Sequence, residues 1–326
     1  MTEPIDCPGE SSGNLVDDWW SDPNREPDGV QWGECAAVAR NIQVRCSGKP
    51  GIDWISDCEQ FMGHLARPRS ALSLGCGFGQ VDRIFRQRDI VQHILGIDVA
   101  QGAIAGAGKA ARDAGLQGLE YRVVDLDVQD LPESEFDVVI CHAALHHVFQ
   151  IERVLDQVSR CLRPGGIFVL NEYVGPSQMQ WPKPHVELAE ALLKMIPRAH
   201  RKQIRFEGYK DAVMRLPLST MNSSDPSESI RSHEIVPLVA ARFIIVKARG
   251  FGGTLLMQLL NEIAGNFPDG DPETSPLIEG FIHLENTLID MGALPSYHAY
   301  IVARKPEHEA LAQSQDYLPP IHPGYH

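Results

Sequence analysis

Short apolar runs alternate with amphipathic stretches between residues 70 and 175. Five runs rich in branched aliphatic residues predict strands; they are ALSL (71–74), HILGID (93–98), YRVV (121–124), FDVVICHA (136–143) and GGIFVLNEY (165–173). Three stretches between them have apolar residues at helical spacing, namely QVDRIFRQR (80–88), AIAGAGKAARDAG (103–115) and IERVLDQVSRCL (151–162). Such alternation predicts an α/β fold with a doubly wound, mostly parallel sheet, whose ligands bind at the carboxyl ends of the strands.

The pattern changes on both sides of this region. Residues 1–66 begin as a polar leader and continue as short helices, which predicts an N-terminal helical lid. The main domain is expected over 67–305, with an insertion at 177–235 in which Ser227 to Ser232 begin a helix. FIIVKA (243–248) and YHAYIVAR (297–304) predict two closing strands, and residues 306–326 form a polar, proline-containing tail.

Three glycines, Gly75, Gly77 and Gly79, follow the first predicted strand directly. Glycine has no Cβ, so the backbone can turn tightly here and lie against a ligand at the start of a helix. Asp98 ends the second predicted strand, at roughly the 20-residue offset where an acidic residue meets ribose hydroxyls in βαβ units. The two features together predict a nucleotide-binding site.

The spacing of the loop distinguishes between cofactors. A dinucleotide loop reads G-x-G-x-x-G/A and would place its third small residue at Gln80, whereas here that residue is Gly79. The G-x-G-x-G form, together with LRPGGIFVLNEYVGP (162–176), resembles the class I S-adenosylmethionine-dependent methyltransferases. The resemblance implies a Rossmann-like sheet of seven strands with an antiparallel last strand. It also implies S-adenosylmethionine as cofactor and an insertion after the fifth strand that covers the methyl acceptor.

The resemblance further implies which residues contact the cofactor. They are Ser73, Gly75, Cys76, Gly77, Gly79, Asp98, Val99, Asp125, Leu126 and Cys141. Ser73 departs from the family, which usually has an acidic residue at that place, so a hydroxyl stands where a charge is common. Asp125 closes the third strand and is expected at the adenine amino group, with Asp127 as the alternative.

Polar side chains at the ends of the fourth and fifth strands are candidates for the chemical step. His142 and His147 follow the fourth strand, and Glu172 lies near the end of the fifth. Imidazole titrates near neutrality and a carboxylate can accept a proton, so these residues are expected to include a general base. Their alternative role is to stabilise the turns by hydrogen bonds. No third ligand of matching spacing accompanies His142 and His146, so no metal is expected.

Charge and cysteine usage narrow the functional classes. A formal net charge of −14 and a pI near 5.3 oppose a nucleic-acid partner, because affinity for phosphates rests on clustered Lys and Arg. The seven cysteines include no C-x-x-C pair, the N-terminus lacks the features of a signal peptide, and no apolar run approaches 18 residues. We therefore expect a cytoplasmic protein without a membrane partner.

These observations favour a methyltransferase that acts on a small-molecule acceptor. By analogy with comparable enzymes, oxygen of a metabolite or of a sugar-like natural product is the expected acceptor atom. Two other classes stay open: a nicotinamide-dependent oxidoreductase on a similar fold, and a non-catalytic scaffold that keeps the methyltransferase fold. The oligomeric state is also open, a homodimer included.

Overall fold

The computed structural model describes residues 20–22, 27–133 and 135–306. Most of the predicted N-terminal leader and the predicted tail after residue 306 lie outside the described residues. None of the six described cysteines is paired in a disulfide. Within the described residues, no helix is long and apolar enough to cross a membrane.

Seven strands form one sheet in the order β3-β2-β1-β4-β5-β7-β6. The strands are β1 (Ser70–Leu74), β2 (His93–Asp98), β3 (Leu119–Val123), β4 (Phe136–His142), β5 (Leu162–Tyr173), β6 (Ile244–Gly252) and β7 (His298–Arg304). β1 to β5 pair in parallel, and β7 lies antiparallel between β5 and β6. The predicted seven-stranded α/β sheet with its antiparallel last strand is therefore confirmed.

The helices cover both faces of this sheet. They are α1 (Ala36–Ser47), α2 (Trp54–Glu59), α3 (Gln80–Gln87), α4 (Gln101–Asp113), α5 (Ile151–Cys161), α6 (Lys183–Met195), α7 (Leu218–Ser224), α8 (Ile235–Ala240), α9 (Leu256–Leu260) and α10 (Ser275–Asp290). α5 and α8 pack on one face, where β4 and β5 contribute Val139 and Leu170. α1, α3, α6 and α9 pack on the other face. The sheet is buried on both sides, which explains why its central strands read as continuous apolar runs.

The helix predicted to open between Ser227 and Ser232 begins at the end of that range. Residues 226–231 form turns, a 3-10 turn spans Ser232–Glu234, and α8 follows directly at Ile235. The Asp225 side chain accepts hydrogen bonds from the backbone N–H and the hydroxyl of Ser227. Such side-chain bonds satisfy a polar segment locally and compete with helix formation. The segment is thus held as a turn against the end of the sheet.

Candidate active site

The glycine loop turns sharply between β1 and α3. Gly75, Gly77 and Gly79 all have positive φ angles, of 56°, 51° and 68°. A Cβ on Gly75 would lie 2.3 Å from Ala144 Cβ, and one on Gly79 would lie 2.5 Å from the Tyr121 hydroxyl. A Cβ on Gly77 would meet no atom within 4 Å. Gly75 and Gly79 are therefore required by packing, and Gly77 presents bare backbone to open space.

Asp98 joins this loop to the end of β2. Its Oδ2 accepts a hydrogen bond from Gly77 N at 2.8 Å, and its Oδ1 accepts one from Ala100 N at 2.9 Å. These two bonds fix the orientation of the carboxylate at the end of β2. Asp98 also lines the cavity described next, which is where a ribose acceptor has to be.

A cavity of about 930 Å³ opens at the carboxyl ends of β1 to β4. One part is lined by the glycine loop, Asp98 and Val99, together with residues 124–128. The other part is lined by His142, residues 143–144 and 147–150, and by side chains from distant segments. These distant side chains are Trp20, Asp53, Trp54, Ile55 and Ser227. The cavity therefore joins the predicted cofactor residues to the predicted catalytic histidines.

The two carboxylates considered for adenine have different hydrogen-bond partners. Asp127 Oδ1 accepts a hydrogen bond from Gln150 N at 2.7 Å, and its Oδ2 accepts one from Phe149 N at 3.3 Å. Asp125 Oδ1 accepts a bond from Asp127 N at 2.9 Å. Both residues and Leu126 line the cavity. Backbone N–H groups hold both oxygens of Asp127, as they hold both oxygens of Asp98, so Asp125 and Asp127 both stay candidates for the adenine ligand.

His142 is the last residue of β4, and its side chain is exposed to the cavity. Its ring lies 5.4 Å from that of Trp54, centroid to centroid. The surrounding protein disfavours the charged imidazolium, so the pKa of His142 is lowered despite the opposing charge of Glu172. A neutral imidazole that faces the cavity can accept a proton from a bound molecule.

Glu172 lies beneath the turn that follows β4, and it is only 1% exposed. Its Oε2 accepts hydrogen bonds from Ala144 N at 3.0 Å and Leu145 N at 2.9 Å, and its Oε1 bonds to His146 Nδ1. Burial disfavours the charged His146, but the contact with Glu172 outweighs it and raises the pKa of His146 to about 9. Glu172 therefore organises the turn that carries the histidines.

His147 contacts two segments that are remote in sequence. Its Nδ1 lies 3.0 Å from Ser227 Oγ, and its ring meets Trp20 edge to face with centroids 4.9 Å apart. Burial and the neighbouring His146 lower the pKa of His147. The turn at 225–231 and Trp20 thus both reach the histidine part of the cavity.

Four predicted site residues are not among those that line the cavity. Ser73 and Cys141 are buried within β1 and β4, with exposures of 4% and 1%, so their side chains cannot contact a ligand there. Gly79 precedes α3 and packs against Tyr121. Glu172 is fully engaged by the turn, so it is not placed to take a proton from a bound molecule. The other nine predicted residues, Gly75, Cys76, Gly77, Asp98, Val99, Asp125, Leu126, His142 and His147, line the cavity.

The sequence interpretation missed a buried polar group beneath the glycine loop. Asp82, in the first turn of α3, has both carboxylate oxygens buried without a hydrogen bond of normal geometry to any described residue. Burial raises the pKa of Asp82 to about 6, while the Ser73 hydroxyl opposes part of that rise. A Cβ on Gly96 would lie 2.8 Å from Asp82 Oδ2. Gly96 in β2 was the sequence signal, because a glycine within a strand indicates that another group, here the Asp82 side chain, packs closely against it.

The residues present fit the cofactor that the sequence suggested. Gly77 leaves open the space that a Cβ would fill, and the charged acceptor Asp98 stands beside it. Asp125 supplies a second acceptor across the cavity. Backbone N–H donors and two carboxylate acceptors suit an adenosine with an attached amino acid. Among the described lining residues there is no Lys or Arg, the side chains that would bind the phosphates of a dinucleotide.

Comparisons with known proteins agree with this geometry. Residues 72–170 match the family model of the methyltransferase domain. This stretch is therefore a methyltransferase domain, in agreement with the resemblance to the class I S-adenosylmethionine-dependent methyltransferases that the glycine loop suggested. The matched region of the methyltransferase domain runs from β1 to β5 and contains the glycine loop, Asp98, Asp125 and His142.

Individual relatives of the methyltransferase domain differ in what they do. Ubiquinone biosynthesis O-methyltransferase of Leptothrix cholodnii is 27% identical over 48% of this chain and 63% of its own length. The S-adenosyl-L-methionine-dependent Diels-Alderase iccD of Talaromyces variabilis is 25% identical over 58% of this chain and 65% of its own length. Less than two thirds of either relative is therefore matched.

A solved structure shows the same fold over nearly the whole chain. Geranyl diphosphate C-methyltransferase from Streptomyces coelicolor A3(2) has a TM-score of 0.53 and 12% identity, and the match covers 92% of this chain and 100% of that one. The fold thus extends beyond the matched domain to the closing strands β6 and β7.

Proposed function

We propose that this protein transfers a methyl group from S-adenosylmethionine to an oxygen atom of a small molecule. The observation that carries the proposal is the cavity that joins Gly77, Asp98 and Asp125 to His142. Its volume of about 930 Å³ lies at the upper end of the range of about 300–1,000 Å³ typical of ligand pockets. That space is suited to a cofactor and a small acceptor bound side by side.

The chain's own residues would contribute mainly position and proton removal. S-adenosylmethionine, when bound, would supply a methyl group activated by its positively charged sulfur, which would keep the bonding electrons when the acceptor oxygen takes the methyl group. The cofactor would be held by the glycine loop, Asp98 and Asp125. Water would be excluded from the acceptor by Trp54 and Ser227. His142 would accept the proton that the hydroxyl loses.

Glu172 would act through the turn rather than on the acceptor. It accepts two backbone N–H bonds and holds His146, and this fixes the path of the chain between His142 and His147. It is therefore a positioning residue in the proposed reaction.

Titration calorimetry with S-adenosylhomocysteine tests the cofactor site. Gly77→Val would place a branched side chain at a positive φ and into the cavity, and Asp98→Ala would remove a charged acceptor. We expect no measurable binding for the first variant and a loss of roughly 10- to 150-fold for the second, which corresponds to about 1.5–3 kcal/mol. Asp113→Ala, on the exposed end of α4, is the matched control and should bind as the parent does.

Two parallel measurements separate the proposal from its alternatives. Tighter binding of NAD⁺ than of S-adenosylhomocysteine would favour an oxidoreductase, and the absence of binding to either would favour a scaffold. The Diels-Alderase relative suggests a further outcome, in which the cofactor binds but is never demethylated. Mass spectrometry of the cofactor after turnover with candidate hydroxylated acceptors distinguishes this outcome from methyl transfer.

A further inference from the structure

Three side chains with metal-binding atoms meet beside the cavity, and one of them, His147, lines it. They are His146 and His147, in the turn after β4, and Glu228, in the turn at 225–231. One ligand atom from each lies within 4.8 Å of the others. His146 Nε2 is 3.7 Å from one Glu228 oxygen, and His147 Nε2 is 3.8 Å from the other.

Hydrogen bonds orient both imidazoles so that Nε2 points into this cluster. His146 Nδ1 bonds to Glu172, a carboxylate that can only accept, so Nδ1 keeps its proton and an ion at Nε2 would displace the second proton of the charged ring. The Ser227 hydroxyl donates its hydrogen to Asp225 Oδ1 at 2.5 Å, so Ser227 Oγ accepts from His147 Nδ1. A histidine that ligates a metal typically donates its other ring N–H to a carboxylate or another acceptor in this way.

The cluster also has an excess of negative charge. Glu172, Asp225 and Glu228 surround the two imidazoles, and within the described part of the chain no Lys or Arg forms an ion pair with any of them. Asp225 Oδ2 is buried without a hydrogen bond among the described residues. The Nε2-to-carboxylate separations of 3.7 and 3.8 Å are too long for hydrogen bonds, so these atoms face one another without a shared proton.

We propose that His146 Nε2, His147 Nε2 and the Glu228 carboxylate bind a divalent transition-metal ion, with Zn²⁺ as the expected occupant. Two imidazoles and one carboxylate suit zinc, whereas Mg²⁺ and Ca²⁺ prefer oxygen ligands alone. Bonds of about 2.0–2.1 Å in tetrahedral geometry require the ligand atoms to move to about 3.3 Å apart. Closing these distances requires adjustments of the partly exposed Glu228 side chain and of the two imidazole rings.

Three protein ligands leave one position of the ion open, as in catalytic zinc sites. His147 and Ser227 line the cavity, so that position is on the acceptor side. This role rests on the proposed function: an ion there would bind the acceptor hydroxyl and make it more acidic. The sequence interpretation expected no metal because Glu228 is far from the histidines along the chain.

Calorimetric titration of the untagged, metal-free full chain with Zn²⁺ tests the site, and Co²⁺ absorption reports its geometry. We expect one ion per chain and intense visible bands from a four- or five-coordinate Co²⁺. Glu228→Gln and His147→Gln should each weaken Zn²⁺ binding at least tenfold and diminish the Co²⁺ bands. Glu273→Gln is the matched control, because Glu273 also lies beside a histidine, His200, but away from the cavity.

The results separate this inference from the proposed function. Zn²⁺ affinity that is equal in the parent and in folded Glu228→Gln and His147→Gln proteins, or an octahedral Co²⁺ spectrum like that of the aqueous ion, would overturn the metal site. Binding of S-adenosylhomocysteine is measured on the same samples. Cofactor binding without metal binding rejects only the site, and metal binding without cofactor binding rejects only the methyl-transfer proposal.

Discussion

His142 and Glu172 are neighbouring polar residues at two strand ends, and the structure gives them different surroundings. The His142 ring faces the cavity, whereas the Glu172 carboxylate is enclosed by backbone donors and His146. Both were expected from the sequence to be candidates for proton removal. A base has to reach the proton that it accepts, so the exposed His142 is placed for proton removal and the buried Glu172 is not.

Replacing Glu172 should therefore reduce stability. Glu172→Ala leaves the N–H groups of Ala144 and Leu145 without their acceptor and removes the partner of His146. We expect the free energy of unfolding to fall by about 3–5 kcal/mol, as for other broken buried ion pairs. Urea denaturation measures the change, and His142→Ala is the control, with an expected loss below about 1 kcal/mol. Similar losses in the two variants would contradict this assignment.

Replacing His142 should instead slow the chemical step. His142→Gln removes the proposed base without touching the glycine loop, so cofactor affinity should be unchanged. Single-turnover methyl transfer should slow by about 10²–10⁴-fold. His93→Ala, at the opposite end of β2, serves as the control. Transfer at the parent rate would show that the proton leaves by another route.

Asp82 should make stability depend on pH. Its carboxyl has a folded-state pKa of about 6 against an ordinary value of 3.8. Between about pH 4 and 6 the unfolded chain loses this proton while the folded chain keeps it, so stability falls as the pH rises. Above about pH 6 the loss is constant, on the order of 3 kcal/mol.

Asp82→Asn removes this titration. The unfolding free energy of the variant relative to the parent should rise between about pH 4 and 6 and then level off. Urea denaturation at several pH values measures the difference. Asp113→Asn, on the exposed end of α4, should show no such rise. A difference for Asp82→Asn that does not change with pH would mean that the carboxyl has an ordinary pKa in the folded protein.

At the scale of elements, the structure sharpens the predicted acceptor lid. Much of the insertion packs away from the cavity, since α6 contributes Leu192 and Leu193 to the same core cluster as α9. The turn at 225–231 contributes Ser227 to the cavity, and α2 with the preceding residue contributes Asp53, Trp54 and Ile55. We therefore propose that these two short segments, rather than the whole insertion, cover the acceptor.

Hydrogen exchange with and without S-adenosylhomocysteine tests this narrower lid. Peptides that contain residues 53–55 and 225–231 should gain protection when the cofactor product binds, because closure would shield their amides. Peptides from α6 and α10 do not line the cavity and should change little. A uniform gain across α6 would support the broader insertion as the lid.

The elements that were predictable from sequence are those with strong local patterns. The five strands up to β5 and the helices between them follow from apolar periodicity, and the glycine loop from its spacing. The polar sequence at 225–231 is typical of turns, but its contacts could not be predicted, because Asp225 and Ser227 bond to each other and Ser227 bonds to His147 in the β4 turn. The burial of Glu172 also depends on contacts from β4 that its own strand does not reveal.

At the scale of the whole molecule, the matched domain depends on the chain beyond it. β7 pairs with β5 from Ile167 to Tyr173, and residues 299–303 of β7 are fully buried. A chain that ends at residue 240 would expose this edge and the apolar face of β5 to solvent. We expect it to be insoluble or to lack a cooperative thermal transition. A chain that ends at Pro306 is the control, and it should unfold cooperatively.

The two parts of the cavity draw on different stretches of chain. Residues 75–128 line the cofactor part of the cavity. The histidine part is also lined by Trp20, Trp54 and Ser227, which come from three separate segments of the chain. Substitutions in those segments alter the shape presented to the acceptor while leaving the cofactor contacts intact. Acceptor choice can therefore drift during evolution without loss of cofactor binding. A directed-evolution library that varies only Trp20, Trp54 and Ser227 would therefore test changes of acceptor with the fewest variants.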